Sequence, residues 1–317
     1  MATVKPKLSI VVPLFNEALV LKDFHDSLTV TLKRLDMSYE IIYCDDGSTD
    51  TTNELARAVC HEDKRVRLLT LSRNFGKEVA TSAGIAAARG EAIITIDADG
   101  QHPVELLPEF IWRWQEGKRV IIGLRTANQK EGWVKRLGSK LFYGLYSKFT
   151  GIKLVAGSTD YRLIDASVQR EFLRMTERNR ITRGLIDWLG YERAYITFRA
   201  NPRLGGEATY SFKKLVKLAI DSAISLSLSP LYIAAYLGAI VLPLATIVGI
   251  GMVINAAIGD RLHLHATGSA YVMILVLFLV GVLLVSQGII GLYLSHIHTE
   301  TQNRPLYVID TEKSVGL

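Results

Sequence analysis

Two long stretches without a charged residue, Leu231–Ile258 and Ala270–Leu294, most constrain what this chain can fold into. Each exceeds the roughly 20 apolar residues that cross a ~30 Å hydrocarbon core. The reading is therefore two membrane-spanning helices, with a pair of buried core helices as its competitor. Gly238, Gly249, Gly251 and Pro243 in the first stretch suit a transmembrane helix better than a soluble one. Only "GDRLHLHATGS" separates the two stretches, too little for a domain, so the chain returns to the side from which it entered.

Positive charge is denser in "FKKLVK", Phe212 to Lys217, than in that connecting hairpin. The positive-inside rule then places the large N-terminal portion and both termini in the cytoplasm, as a multi-pass protein of the cytoplasmic membrane. "YSFKKLVKLAIDSAISLSLSP" alternates basic and apolar faces at helical spacing, which fits an interfacial helix feeding the first span. The division expected is 1–210 a cytoplasmic α/β domain, 211–229 the interfacial helix, 230–296 the two-span hairpin and 297–317 a cytoplasmic tail. "GWVKRLGSKLFYGLYSKF", residues 132–149, mixes aromatic and basic residues and is a second candidate for the headgroup boundary.

Outside the apolar stretches the chain reads as a charged globular domain. Its formal net charge of +6 suits anionic partners such as nucleotide phosphates or lipid headgroups. No nucleic-acid-binding signature accompanies the charge, so nucleic acid is not expected. Cys44 and Cys60 lack metal-ligand spacing and read as reduced thiols. "MATVKPK" leads directly into "LSIVVPLF", so no signal peptide is expected.

"LSIVVPLF", "YEIIYCDDG", "VRLLTLS" and "EAIITIDADG" are short β-rich runs ending in polar or turn residues. Helical stretches lie between them at Ala18–Leu35, Thr51–Cys60 and Lys77–Ala88. Thr51 to Glu54 has the pattern of a capping box, and Gly90 is placed to end the third helix. Strands alternating with helices imply an α/β domain around a mostly parallel sheet, whose ligands bind beyond the carboxyl ends of the strands. Asn16, Glu17, Asp45, Asp46, Asp97 and Asp99 all fall at that edge.

In "IDADGQHP", residues 96–103, Asp97 and Asp99 are two apart and point one way if the strand continues through them. With the Gln101 carbonyl they form an oxygen-rich half-shell suited to Mg²⁺ or Mn²⁺. Read alone, the stretch is equally a helix N-terminus, with Asp99 as cap and Pro103 in the first turn. No phosphate loop, H-E-x-x-H or serine elbow is present, so bound phosphate would depend on metal and arginines.

"SIVVPLFNEA", "DDGSTD", "SRNFGKEVATSAGIAAARG" and "DADGQHP" come in the order and spacing of the family-two glycosyltransferases with the GT-A fold. "GLR", "STDYRLID", "PRLGGEATYSFKKL" and the two terminal spans continue the match. Over nearly its whole length the chain resembles the polyisoprenyl-phosphate glycosyltransferases, which include dolichol-phosphate mannose synthases and bacterial glucosyl and aminoarabinosyl transferases. The resemblance implies that Pro13, Asn16 and Glu17 line a nucleotide pocket, that Asp45 or Asp46 contacts the base, and that Asp97, Asp99 and Gln101 hold the divalent ion. It also implies substrate contacts by Arg73 and Lys77, an acidic residue near the acceptor at Asp160, and phosphate contacts by Arg125 and Arg203. Asp160, Asp99 and Arg125 are the residues expected to carry the reaction. Two positions depart from the pattern: Asn128 stands where a second arginine is usual, and Thr209 where a basic residue is usual. Lys135, Arg136, Lys213 or Lys214 would have to substitute.

The reaction implied is inverting transfer from a nucleotide sugar, UDP-glucose first, to a polyprenyl phosphate, with Asp160 orienting the acceptor or serving as base. Transfer from GDP-mannose or a UDP-linked amino sugar is the alternative. A processive polysaccharide synthase is disfavoured because no Q-x-x-R-W occurs. A thin membrane domain makes a homo-oligomer plausible, with a tetramer one form. The short apolar run in "TQNRPLYVIDTEKS" is a candidate strand for a neighbouring subunit's sheet.

Overall fold

The computed structural model describes residues 5–126, 155, 157–178, 180–201 and 268–317, together with eight positions between 236 and 254, all helical. Among these residues are seven strands: β1 (Leu8–Leu14), β2 (Tyr39–Asp45), β3 (Val66–Thr70), β4 (Ala92–Thr95), β5 (Val120–Arg125), β6 (Ser158–Asp165) and β7 (Arg193–Phe198). The helices are α1 (Leu21–Lys33), α2 (Thr52–Glu62), α3 (Lys77–Ala87), α4 (Leu107–Gln115), α5 (Ala166–Arg174), α6 (Thr182–Trp188) and α7 (Gly268–Thr301).

The strands form one sheet in the order β3-β2-β1-β4-β6-β5-β7. Every pairing is parallel except those of β6, which runs antiparallel to both β4 and β5. The central strands are buried on both faces, which is why they read as continuous apolar runs. Ile10 and Val12 of β1 pack on one side with Phe24 and Leu28 of α1 and Phe110 of α4. Val11 packs on the other with Ala80 and Ala83 of α3 and Phe172 of α5. Gly84 lets α3 lie close to the sheet: a Cβ there would stand 2.3 Å from Val11 Cγ1 and 2.5 Å from Cys44 Sγ.

The three expected helices form, with ends shifted by up to three residues. The Thr51 capping box does not: the Thr51 side chain makes no cap bond. Asp50 takes its place, accepting from the Thr52 N–H at 3.0 Å and the Thr52 hydroxyl at 2.6 Å. Its short carboxylate reaches the first-turn donors from one residue further back. Helix α3 ends at Ala87, and Gly90 instead sits where a Cβ would meet the Ser9 nitrogen at 2.7 Å.

The tail expected to join a neighbour's sheet closes this chain's own. Leu68 and Val315 exchange backbone hydrogen bonds of 3.0 and 2.9 Å, and Ser72 N–H donates to Val308 O at 2.9 Å. Strand β3 is otherwise an edge with unpaired backbone groups, and a tethered segment of the same chain reaches it at high effective concentration. Arg304–Leu317 therefore belongs to the sheet's compact unit, whereas α7 belongs to a second.

Helix α7 contains the second apolar stretch. It spans 34 residues, about 50 Å at 1.5 Å per residue, and Phe278–Thr301 is long and apolar enough to cross a membrane. Its exposed large side chains, among them Met273, Leu283, Leu284 and Leu294, give it no polar face. Most of the first stretch, the interfacial segment and residues 132–149 lie outside the described residues.

Candidate active site

The strand order turns about between β1 and β4: β1 leads to β2 and β3 on one side, β4 to the remaining strands on the other. Open α/β sheets bind ligands at such a switch, beyond the carboxyl ends of the strands. Pairing of β1 with β4 stops at Val11↔Thr95, and Ile96 N–H then donates to Val11 O at 3.1 Å. Pro13, two residues further along β1, faces the same side, where the ladder has ended and its missing N–H leaves nothing unpaired.

A three-membered charge cluster lies at this edge. Lys77, the first residue of α3, places Nζ 2.7 Å from Asp97 Oδ1 and 2.8 Å from Oδ2. The same ammonium stands 3.1 Å from Asp160 Oδ2. Asp160 comes from β6, and Thr95 at the end of β4 donates its hydroxyl to the Asp160 carbonyl. Burial by itself would push the Asp160 carboxyl up, but Lys77, with Arg183 and Arg162 behind it, holds it down at about 2. Burial likewise opposes the charge on Lys77, and the two aspartates overcome it and raise its pKa.

The backbone of the acidic stretch differs from a continued strand. Strand β4 ends at Thr95, residues 98 and 99 form a turn, and Gly100 has φ +75°. Asp97 and Asp99 are both half-buried about a buried Ala98, but they serve different neighbours. Asp97 meets Lys77. Asp99 accepts from the Gln101 N–H at 3.0 Å, and Gln101 Oε1 accepts from Arg125 Nη1 at 3.2 Å. No side-chain cap bond starts the following helical turn; Pro103 directly precedes its first residue, Val104. Among the described residues, no group of three His, Cys, Asp or Glu side chains is arranged to hold a metal.

His102, without a role in the sequence, is buried beneath this turn. Its Nδ1 accepts from the Asp97 N–H at 3.3 Å, and its ring stacks on Tyr161 and meets Phe198 edge-on. Burial lowers its pKa against the pull of Asp97 and Asp99, so the neutral ring supports the loop that carries Asp97.

The remaining expected residues divide four ways. Asp45 and Asp46 reach the edge but are buried and tied to loops. Asp45 accepts from Ser48 N–H and Asn53 Nδ2, both at 2.9 Å. Asp46 accepts from the N–H groups of Phe75 and Gly76 at 2.7 and 2.9 Å. Burial raises the Asp46 pKa, opposed by those two amides. Gly76, at φ +102°, adopts a backbone that L side chains avoid and turns the chain into α3. Asn16, at φ +55°, joins the first loop to the second by accepting from the Thr49 N–H at 2.9 Å, and Glu17 N–H donates to Thr52 Oγ1 at 2.8 Å. Arg73 and Arg125 are exposed at the rim, with the Arg73 guanidinium over the Phe75 ring at 4.0 Å. Arg203, Lys135, Arg136, Asn128, Thr209, Lys213 and Lys214 lie outside the described residues.

Arg162 and Glu78 were not singled out in the sequence. Arg162 is two residues from Asp160 on β6, fully buried, and pairs with Asp187 at 3.0 Å where both side chains are 2% exposed. Its spacing from Asp160 in "STDYRLID" was the available signal, since residues i and i+2 share a sheet face. Glu78 accepts from the Thr182 N–H at 2.8 Å and ties α3 to α6.

The family model "Glycosyl transferase family 2" matches residues 9–173, which include the carboxyl ends of β1 to β6. The chain belongs to this family. An uncharacterized glycosyltransferase of Synechocystis is 37% identical over 96% of this chain and 94% of that protein. The prophage bactoprenol glucosyl transferase homolog of Escherichia coli is 32% identical over 97% of this chain and 99% of that protein. The bactoprenol glucosyl transferase of Shigella phage SfV is 32% identical over the same shares. Among solved structures, glucosyl-3-phosphoglycerate synthase from Mycobacterium tuberculosis aligns over 71% of this chain and 79% of its own, with 21% identity and a TM-score of 0.48. The protein is thus a family 2 glycosyltransferase whose curated relatives match it nearly end to end, through the apolar helix α7 as well as the sheet.

Proposed function

We propose that this glycosyltransferase moves a sugar, with inversion, from a nucleotide sugar to the phosphate of a polyprenyl lipid at the cytoplasmic face of a membrane. UDP-glucose is the donor of first choice. The observation that carries the reading is the convergence of Asp97 and Asp160, from two neighbouring strands, on one ammonium at the sheet's switch point. It is a place built to hold positive charge beside an anionic substrate. The names of the full-length relatives, bactoprenol glucosyl transferases, favour the polyprenyl phosphate, and α7 gives the enzyme the means to stay beside such an acceptor. Two spans and a homo-oligomer remain part of this reading.

The lipid phosphate is largely ionised near neutral pH, its second pKa being about 6, so it attacks with little need of a base. Its oxygen forms the bond to the anomeric carbon as the bond to the diphosphate breaks, and the electron pair leaves with the nucleoside diphosphate. Asp160, held ionised by Lys77, orients the acceptor by fixing the ammonium that the phosphate meets, since the carboxylate itself repels an anion. Lys77 and Arg125 offset charge on the departing group.

The chemistry of the donor set fits a hard divalent ion: Asp97, Asp99 and Gln101 offer only oxygen, and Lys77 already stands as a cation on Asp97. These residues would hold Mg²⁺ or Mn²⁺ together with the donor's phosphates, which complete such shells. When bound, the ion lowers the cost of charge on the diphosphate. The test is the full-length protein with polyprenyl phosphate and radiolabelled UDP-glucose, GDP-mannose or a UDP-amino sugar, with Mg²⁺, Mn²⁺ or a chelator. Organic-extractable label from UDP-glucose, lost with chelator and in Asp99→Asn, is expected. Turnover unchanged in that variant would remove the metal role.

A further inference from the structure

At the opposite, amino-terminal edge of the sheet lies an open basin of about 760 Å³. Lys5, Lys64, Arg65, Arg67, Arg89 and Arg170 converge on it from separate segments of the chain, and Glu40 is its one acidic lining residue among the described residues. That acid is already engaged: Arg67 Nη1 pairs with Glu40 Oε2 at 3.1 Å, both side chains being nine-tenths buried, while Ser9 Oγ and Arg89 N–H donate to Glu40 Oε1. Asp63 similarly neutralises Arg65 at 2.7 Å. Lys5, Lys64, Arg89 and Arg170 are left to set the field of the basin. A concave wall of one sign concentrates counter-ions, and this volume falls in the range of small-molecule sites.

A second, independent feature points the same way. Tyr39 lines the basin and is 8% exposed, with its hydroxyl buried and lacking a hydrogen-bond partner. The Arg65 guanidinium lies 4.6 Å above its ring. Buried hydroxyls are nearly always satisfied, so an unpaired donor beside a surplus of cations marks a place for an acceptor. Neither the donor nor the acceptor of the proposed transfer is needed to explain it, because the catalytic carboxylates stand at the sheet's other edge.

We propose that this basin is a second anion site, taking a ligand with two or more phosphate charges. The requirement for several charges follows from the four lining cations that have no ion-pair partner among the described residues. The ligand is a free polyphosphate or a phospholipid headgroup; the two share this chemistry and differ in their source.

Pyrophosphate is the probe, titrated calorimetrically into the full-length protein in neutral phosphatidylcholine nanodiscs with chelator and no sugar donor. Binding that weakens about tenfold or more in Arg89→Glu/Arg170→Glu is expected, since two favourable charges become repulsive. Both side chains are exposed, so the variant keeps its fold, and retained sugar transfer verifies this. The same charge change at the end of α1, Lys33→Glu/Arg34→Glu, leaves binding intact. Repeating the titration with anionic phosphatidylglycerol in the disc separates the sources: competition assigns the headgroup, no competition a free phosphate. Absence of pyrophosphate binding, or equal weakening in both double variants, overturns the proposal, and neither result bears on sugar transfer.

Discussion

A single ammonium holds the candidate site together. Lys77 separates two carboxylates that would otherwise face each other, and it keeps Asp160 ionised at about 2 together with Arg183 and Arg162. A depressed carboxyl contributes stability that is complete above its unfolded value near 3.9 and is lost as pH falls toward 2. Replacing Lys77 with Gln is expected to raise the Asp160 pKa by about one unit or more. The Asp160 carboxyl resonance in an NMR pH titration reads this directly, because the acid limb of kcat/KM is set by the lipid phosphate near about 6, and an unmoved Asp160 would detach Lys77 from it. Below this pair, Arg162 and Asp187 form a buried ion pair. Arg162→Met leaves Asp187 buried without its main partner at a cost of about 3–5 kcal/mol. The companion change Arg162→Met/Asp187→Leu is expected to recover most of the lost melting temperature. Asp97 was legible in the sequence because it follows an apolar run, and Asp160 only through the resemblance carried by "STDYRLID". Lys77 as their bridge was not, because it starts a helix 20 residues before Asp97 and 83 before Asp160.

Among the elements, the first four strands follow directly from their apolar runs, and so does their parallel arrangement, because helices separate them. Strand β6 does not. "STDYRLID" reads as a motif, and only its insertion between β4 and β5 makes it an antiparallel strand that brings Asp160 to Asp97. The tail shows a related limit: its apolar residues indicate a strand-like segment, but an edge of the same chain and an edge of a neighbour offer identical hydrogen bonds. Intramolecular docking also lets Thr70 accept from Asn53, which holds Asp45, while Thr70 donates to Lys313 O. Deleting residues 304–317 is expected to lower the melting temperature and to weaken donor binding at the Asp45 end of the site. Val315→Pro, which removes one ladder bond, is expected to cost about 1 kcal/mol. A truncated protein that melts and binds donor as before would show that the clasp carries no stability.

At the scale of the whole molecule, the chain joins an α/β unit to a helix long and apolar enough to cross a membrane. The charge and hydropathy of the sequence separate these parts plainly, since no charged residue falls in either apolar stretch. The proposed acceptor, anionic at one end and apolar along the rest, would tie these parts into one function. The measurement closest to that claim is transfer of labelled sugar into the organic phase by the full-length protein, with polyprenyl phosphate, in wild type, Asp97→Asn and Asp160→Asn. The account predicts lipid-linked product from the wild type and a loss of about a hundredfold or more in each variant. Undiminished product from either variant, or label that stays in water with the wild type, would contradict it.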